Sequence, residues 1–468
     1  MKRSICIACL VGCLAAAMVP AWPADRAVPG TYSTIAAAMA AAQPGDRIVI
    51  TGQHVENGLV NVSVNNLTIT SGATRADLRE TRFAVSAQNV TFQGVDINGN
   101  SVAGARSTTA QDLVLLEGTS SNVTFDDCKI INPATGEGDG GAADTNPAQH
   151  SNPGTCIEVR TPGPLTIRNC DFVCEDYTEG TGAQNIVNLH FRNAINAVGP
   201  VLIENTAFAA EKRNIDFQAG WSNITVRNCT FRNYGTGAGS AAGVYLFPDD
   251  ADPEGVIRNL LIEGCSFVGN GIGARGIYCP SARTENVVIR NCSFISANMA
   301  NAIRWIGRGE GPVIDNCVMR IGTRQGIGGT GGFAGEVFYP KGDPRGFIHG
   351  FVVRNCVIDG NDNAGIVFEW NVVDGIVIEN NTLVDTGREG IGFFEEPCSV
   401  LVRGNHITRC GQSTDFVGTA NGGIVLAVND SGVTDTFIIS CPSGIIPRWS
   451  RGARGIHRLR KPSGIRAI

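Results

Sequence analysis

An all-β fold, a coil of short parallel strands stacked rung upon rung behind one N-terminal helix, is predicted by three observations on this 468-residue chain. One phrase recurs along the sequence. Each copy alternates apolar and polar residues with the period of a strand, and each shifts that alternation by one step at an Asn or a Gly.

The phrase reads LTIRNCDFVCED at 165–176, VLIENTAFAAEK at 201–212, ITVRNCTFRNYG at 224–235, LLIEGCSFVGNG at 260–271, VVIRNCSFISAN at 287–298, FVVRNCVIDGND at 351–362 and IVIENNTLVDTG at 376–387. In the first copy Leu165, Ile167, Cys170 and Phe172 form the apolar set, Thr166, Arg168 and Asp171 stand between them, and the shift falls at Asn169. Asn tolerates left-handed backbone and can bond its own turn, so a bend is expected there. The same position holds Asn205, Asn228, Gly264, Asn291, Asn316, Asn355, Asn380 and Gly404; both replacements are glycine, the other residue that accepts such backbone. A basal spacing of about 23 to 25 residues separates these positions, and inserts of roughly ten to fifteen residues lengthen some turns. A second strand precedes each phrase, as in GIYC (276–279), GIVF (365–368), GIGFF (390–394) and GIVLAV (423–428). Two or three short strands per period, without helical intervals, exclude stacked helix pairs. They leave a coil of parallel sheets, each turn about 4.8 Å above the last. No rung can bury its apolar side chains alone, so the rungs must stack.

Over about residues 30 to 430 this pattern resembles the right-handed parallel β-helix superfamily typified by pectate lyases, with Asn and aliphatic ladders inside. The resemblance implies a single-stranded right-handed solenoid of about 12 coils, which we place at residues 25–432. At its start, YSTIAAAMAAAQPGDRIVI (32–50) supplies a Ser33 or Thr34 cap, an Ala-rich helix with Ile35 and Met39 on one face, and a Pro-Gly-Asp turn into a strand. This resembles the opening cap of that superfamily.

Before the cap, residues 1–24 carry a basic Lys2-Arg3 head, an apolar run from Ile5 to Val19, and Val19 and Ala21 placed as for cleavage, which predicts an export signal. Leu10-Val11-Gly12-Cys13 resembles the box of acylated lipoproteins and offers an alternative, a membrane-anchored form. The expected location is secreted, periplasmic or cell-surface. No other stretch is long and apolar enough for a membrane span. Residues 433–468 lack the rung pattern; from Ile445 onward they hold seven basic residues and no acid. They read as an irregular basic tail, disordered or produced by a truncated or shifted frame, with contact to an acidic surface or nucleic acid as the other possibility.

With signal and tail set aside the body stands near a net charge of −15, which argues against nucleic acid and other polyanions as general partners. Three of the 16 cysteines lie in the signal, and the odd remainder follows the repeat, as at Cys170, Cys229, Cys265, Cys292, Cys317 and Cys356. Stacked buried thiols explain them better than a disulfide framework. A capped coil needs no partner subunit, so a monomer is expected.

With the core faces committed, function must use outward side chains and the inserts that overhang them. The inserts concentrate at 132–154, 173–184, 232–242 and 320–335. The acidic knot Asp249, Asp250, Asp252 and Glu254 offers hard oxygen ligands of the kind Ca2+ takes, or simply a solvated turn. A polar column is more informative. With Ile157 and Val159 inward, Glu158 and Arg160 point out; with Val187, Leu189 and Phe191 inward, Asn188, His190 and Arg192 point out; Asp216, Gln218, Tyr245, Tyr278 and Arg304 continue the series. Chemistry on a uronate polymer needs a base for the proton beside the carboxylate, an acid for the leaving oxygen, and a cation to neutralise the carboxylate. His190, Tyr245 and Arg192 or Arg160 are the candidates in that order. Glu158, Arg160, Asp216, Tyr278 and Arg304 are the candidate substrate contacts.

The superfamily's better-known signatures are missing: neither the WxDH-like and Arg-x-Pro-x-x-Arg stretches of pectate lyases, nor the Gly-His-Gly and Arg-Ile-Lys of polygalacturonases, nor the Asp-Pro-His-Asp of alginate epimerases occurs. Their catalytic residues therefore do not transfer. Two expectations remain, an exported lyase or epimerase acting on an acidic polysaccharide, and a non-catalytic surface or matrix protein that binds glycans or displays loops.

Overall fold

The computed structural model describes residues 23–100, 112–131, 155–173, 187–192, 199–210, 212–232, 241–247, 255–269, 274–280, 282–296, 299–305, 308–321, 333–336, 348–360, 364–369, 373–387, 389–393, 398–410, 424–426 and 437–440. Among them are 41 short strands and one helix; one strand precedes the helix and 40 follow it. The strands pair in parallel, each with the strand one coil before and one coil after. One sheet has 17 strands and the other 24. The larger sheet folds into two faces, because the ten-residue strand Ala76–Val85 pairs through its first half with Val95–Asn98 and through its second half with Val114–Leu116. Each coil therefore has three sides. A representative coil runs along the first face at Leu165–Arg168, bends at Asn169, takes the second face at Asp171–Val173, the third at Val187–Phe191, and returns to the first at Val201–Glu204.

The expected bend residues all have left-handed backbone: Asn169, Asn205, Asn228, Asn291, Asn316, Asn355 and Asn380 have φ between 50° and 56°, and Gly264 and Gly404 have 62° and 64°. Their amides also bond from coil to coil, as Asn316 Nδ2 donates to Asn291 Oδ1 at 2.8 Å and Asn355 Nδ2 to Asp315 Oδ1 at 2.8 Å. A second ladder precedes the first-face strands: Asn122 Nδ2 donates to Asn89 Oδ1 at 2.7 Å and Asn286 Nδ2 to Asn259 Oδ1 at 2.8 Å.

Because each bend returns the next side chain inward, like residues stack on like. Phe172, Phe208, Phe231, Phe267 and Phe294 form one column of fully buried rings with centroids 4.6 to 5.2 Å apart. Stacked rings of this kind add about 0.5–1.5 kcal/mol per pair to the burial itself. Directly after the bends, Cys128, Cys170, Cys229, Cys265, Cys292, Cys317 and Cys356 are buried thiols, as expected; each donates toward the carbonyl two residues earlier, for example Cys356 Sγ to Arg354 O at 3.1 Å. Asn381 and Asn405 take over this position in the last coils, joined by a 2.9 Å bond from Asn381 Nδ2 to Asn405 Oδ1.

On the outside of the first face a column of alternating charge runs through ten consecutive coils: Asp126, Arg168, Glu204, Arg227, Glu263, Arg290, Asp315, Arg354, Glu379 and Arg403. Each Arg pairs with the acid before it, Arg168 with Asp126 at 2.8 Å, Arg290 with Glu263 at 2.7 Å and Arg354 with Asp315 at 2.9 Å.

The first rung starts at Asp25–Val28, which pairs with Arg47–Ile50. Between them lies the expected helix, Ile35–Ala41: Thr34 Oγ1 accepts from Ala37 N at 3.0 Å, and Ile35 and Met39 are buried. The Glu56 carboxylate, from the strand Gln53–Val62, accepts from Ile35 N at 2.8 Å and Ala36 N at 3.0 Å and so completes the cap. At the other end the strand Phe437–Ser440 pairs with Cys398–Arg403, beyond the expected boundary at 432. No helix among the described residues is long and apolar enough to cross a membrane.

Replacing Phe267 with Ala is expected to lower the free energy of unfolding by about 3–5 kcal/mol. Asn291→Ala is expected to cost about 1–2 kcal/mol more than Asn291→Gly, because only the alanine must be forced into left-handed backbone. Urea unfolding of the three variants checks both, and equal losses for the two Asn291 variants would remove the bend as the reason for that residue.

Candidate functional site

The polar column is real in its register. Glu158, His190, Asp216, Tyr245, Tyr278 and Arg304 are direct neighbours on six consecutive rungs of the third face. It is also bounded. Leu115 and Ala84 stand in the same column before Glu158, and Ala334 follows Arg304.

Two sequence expectations are corrected. Asn188 was placed outside and Val187 inside, on strict alternation, whereas the strand takes two inward residues in succession. A side-chain carbon on Gly243, the residue in line with Asn188 and Asn214, would lie 2.7 Å from the buried ring of Phe267. That column therefore points into the core, where Asn188 Nδ2 donates to Asn214 Oδ1 at 2.9 Å and Cys156 Sγ lies 3.5 Å from Asn188 Oδ1. The residue before it in each strand is thereby turned outward, and the column Val187, Arg213, Ala242, Arg275 joins the polar one. The second correction is exposure: the column leaves the outer side of the strand but is buried, with Glu158 0%, His190 5%, Asp216 2% and Tyr245 3% exposed.

Charge is paired tightly within it. Arg160 Nε bonds Glu158 Oε1, which also lies 3.6 Å from Arg192 Nη1. Arg213 Nη1 lies 2.6 Å from Asp216 Oδ2, and His190 Nε2 lies 4.0 Å from the same oxygen. The Arg213 guanidinium carbon sits 3.7 Å above the centre of the Tyr245 ring; Tyr278 meets Tyr245 edge-on at 5.4 Å and has Arg275 at 4.4 Å and Arg304 at 5.9 Å over its ring. Such cation–ring contacts are worth about 0.5–2 kcal/mol when desolvated.

One member was missed by the sequence: Asp112, just ahead of the strand Val114–Leu116, lies against Glu158. Burial, then the neighbouring Glu158 carboxylate, pushes the Asp112 carboxyl up to about 7. Burial acts on Glu158 in the same sense, but the Asp112 hydrogen bond and the Arg160 and Arg192 guanidinium groups outweigh it and hold Glu158 below the ordinary range. One proton is thus kept on the pair, and on Asp112. Burial lowers His190, helped by Arg192 and Arg213 and opposed by Asp216 and Glu158, so its ring is neutral at neutral pH. Burial and Arg213 bring Lys212 down to about 8.

Four buried polar atoms of these residues, Asp112 Oδ1, Glu158 Oε2, His190 Nδ1 and Asp216 Oδ1, find no protein hydrogen-bond partner. They lie on four successive rungs, where a hydroxyl-bearing molecule would supply the missing partners. A neutral imidazole, a protonated carboxyl and several guanidinium groups within a few rungs can remove a proton, supply one, and neutralise a carboxylate. The acidic knot at Asp249, Asp250 and Asp252 lies outside the described residues, and with it the expected Ca2+ ligands. Among the described residues no group of three or more His, Cys, Asp or Glu could hold a metal ion.

No family model and no curated protein matches this sequence. Solved structures resemble it in fold. A double mutant of the tailspike protein of E. coli bacteriophage HK620 superposes with a TM-score of 0.52 at 12% identity, covering 82% of this chain and 67% of that one. The same tailspike in complex with a pentasaccharide gives 0.49 at 13% identity, over 82% and 67% of the two chains. A mannuronic acid specific polysaccharide family 6 lyase from human gut microbiota gives 0.43 at 14% identity, over 87% and 83%. The chain is thus a right-handed parallel β-helix protein; at such identities the likeness is one of architecture.

The pH dependence of the Asp112 proton has a defined sign. A carboxyl raised in the folded state stabilises the fold below its unfolded value and loses that contribution as pH rises through about 7. The melting temperature of the native chain is therefore expected to fall, relative to that of Asp112→Asn, as pH rises from 4 to 7, and the difference to level off above. Parallel melting curves for the two proteins across that range would show that Asp112 ionises normally.

Proposed function

We propose that this protein is an exported carbohydrate-active enzyme, a lyase or epimerase acting on a uronate-containing polysaccharide. The observation that carries the reading is His190: buried, neutral, with Nδ1 unpartnered, and set between the rung of Glu158, Arg160 and Arg192 and the rung of Asp216. A neutral imidazole can take the proton beside a uronate carboxylate, and Arg192 with Arg160 can neutralise that carboxylate as charge builds on it. Elimination then expels the glycosidic oxygen, whereas epimerisation returns a proton to the opposite face. Tyr245, the expected acid, stands two rungs from His190, about 10 Å away. That separation suits the next sugar, so Tyr245 and Tyr278, under Arg213, Arg275 and Arg304, are better placed as a wall for the polymer. In this reading residues 1–24 are the export signal, free secretion rather than anchoring through Cys13 follows, and the chain acts as a monomer.

A second reading has its own support. The burial of Glu158, Asp216 and Tyr245 and their pairing with arginines suit a structural polar stack in a β-helix that binds glycans or displays loops without catalysis.

The mature chain should be assayed against pectate, alginate, chondroitin and heparin-like polymers, with and without Ca2+, in D2O. Unsaturated-uronate absorbance reports elimination, and deuterium at the carbon beside the carboxylate reports proton removal with or without it. Turnover on one polymer is expected, with His190→Ala reducing it by roughly 100-fold or more. Binding to a polymer without absorbance or deuterium uptake, unchanged in His190→Ala, would establish the second reading instead.

A further inference from the structure

We infer that the first face is a docking surface for a second copy of this chain, laid against it with the coil axis reversed and the strands running the same way. The inference goes beyond the proposed activity and does not depend on it. Its first support is an aliphatic stripe. Two residues before each charge of the alternating column, the outward position holds Leu261, Val288, Val313, Val352, Val377 and Leu401 on six consecutive coils. These side chains are half-buried, whereas Leu260 and Ile262, on either side of Leu261, are buried in the core. The arginines beside the stripe are 42% to 57% exposed, so the face is open to solvent. Parallel sheets are as a rule covered on both sides, and a run of aliphatic groups along an open one marks a contact surface.

The charges select what covers it. A twofold axis lying in the face and parallel to the strands sets each outward column against its own copy and reverses the order of the coils. With that axis between the coils of Glu263 and Arg290, Glu263 meets the second copy's Arg290, Arg227 meets Asp315, and Glu204 meets Arg354, out to Asp126 with Arg403. Every contact along the ten coils is then of opposite sign. In the stripe, Leu261 meets Val288 and Leu202 meets Val352, aliphatic on aliphatic. Other twofold axes fail. One through a coil opposes like charges throughout, and one along the coil axis sets each charge against its own copy or against the stripe.

Within one chain each arginine already pairs with the acid one coil before it, as Arg290 does with Glu263 at 2.7 Å and Arg227 with Glu204 at 2.5 Å. The second copy closes each such pair into a ring of four alternating charges, for which a guanidinium has donors and a carboxylate lone pairs to spare. Ten coils span about 45 Å and a four-residue strand about 13 Å, so two such faces bury roughly 1,200 Å2 between them, at the lower end of specific interfaces. Strands that run alongside each other across the contact suit the aligned packing of two sheets about 10 Å apart. The third face of each copy stays uncovered, so the candidate site remains complete within one chain.

Sedimentation equilibrium of the full chain between about 1 and 100 μM at low salt tests this. A mass of two chains is expected, moving toward that of one as salt screens the charges. Arg290→Glu and Glu263→Arg each set like charges across the axis and are expected to raise the dissociation constant by about tenfold or more. Mixed in equal amounts, the two variants should pair with each other nearly as tightly as the native chain pairs with itself, because each meets the opposite sign on the other. A misfolded variant cannot produce that restoration, which separates lost pairing from lost structure. A native mass other than that of two chains at about 100 μM, variants that pair as well as the native chain, or a mixture that pairs no better than either variant alone would overturn the inference.

Discussion

The left-handed bend at the end of each first-face strand is the constraint on which the rest of this molecule depends. Left-handed backbone costs an ordinary L-residue roughly 1–2 kcal/mol, so a chain that needs it coil after coil places Asn or Gly there, and Asp127, with φ 55°, in the coil before Asn169. It does so at Asn169, Asn205, Asn228, Gly264, Asn291, Asn316, Asn355, Asn380 and Gly404. Because each bend lies at the same point of its coil, each side chain after it meets its own kind above and below. The phenylalanine column, the buried thiols and the alternating charges all follow from that one repeated turn. The amide ladder then recovers part of the cost, since each Asn offers a hydrogen bond to the next coil.

Much of this was written plainly in the sequence because its signal is local and repeated. Bend residues, inward apolar positions, the Thr34 cap and the register that sets His190 beside Asp216 and Asp216 beside Tyr245 all rest on periodicity or on short-range rules. The failures have equally physical causes. Val187 and Asn188 were given the wrong sides because the third-face strand turns two successive residues inward, at a place where glycine in later coils makes room for the phenylalanine rings. Asp112 was passed over because it stands ahead of a three-residue strand, outside the alternation that marks the column, so nothing local ties it to Glu158. Burial of the column comes with the arginine and tyrosine side chains that pack on one another from neighbouring rungs, which alternation along one strand cannot register.

The site is best seen as a local exception to the stack. Along the third face the outer column holds Ala84 and Leu115, then six residues with polar or charged groups, then Ala334, Val367 and Gly392. Nothing in the stacking of the coil asks for two carboxylates, a histidine, two tyrosines and an arginine in that stretch, since the core on its inner side continues unbroken through Leu189, Ile215, Val244, Ile277 and Ile303. A fold whose stability is spread over many near-identical coils can carry several poorly satisfied polar groups in a few of them. The rigid parallel register in turn fixes their separations to multiples of one rung, which is the preorganisation that proton transfer requires.

The column of alternating charge on the first face bears on how such a chain can change length. Asp126, Arg168, Glu204, Arg227, Glu263, Arg290, Asp315, Arg354, Glu379 and Arg403 form a sequence of signs with a period of two coils, although the fold itself has a period of one. Deleting or duplicating one coil between Asp126 and Arg403 would set two like charges side by side, whereas gaining or losing two coils would restore the alternation. A change in length that keeps every arginine beside an acid therefore comes two coils at a time.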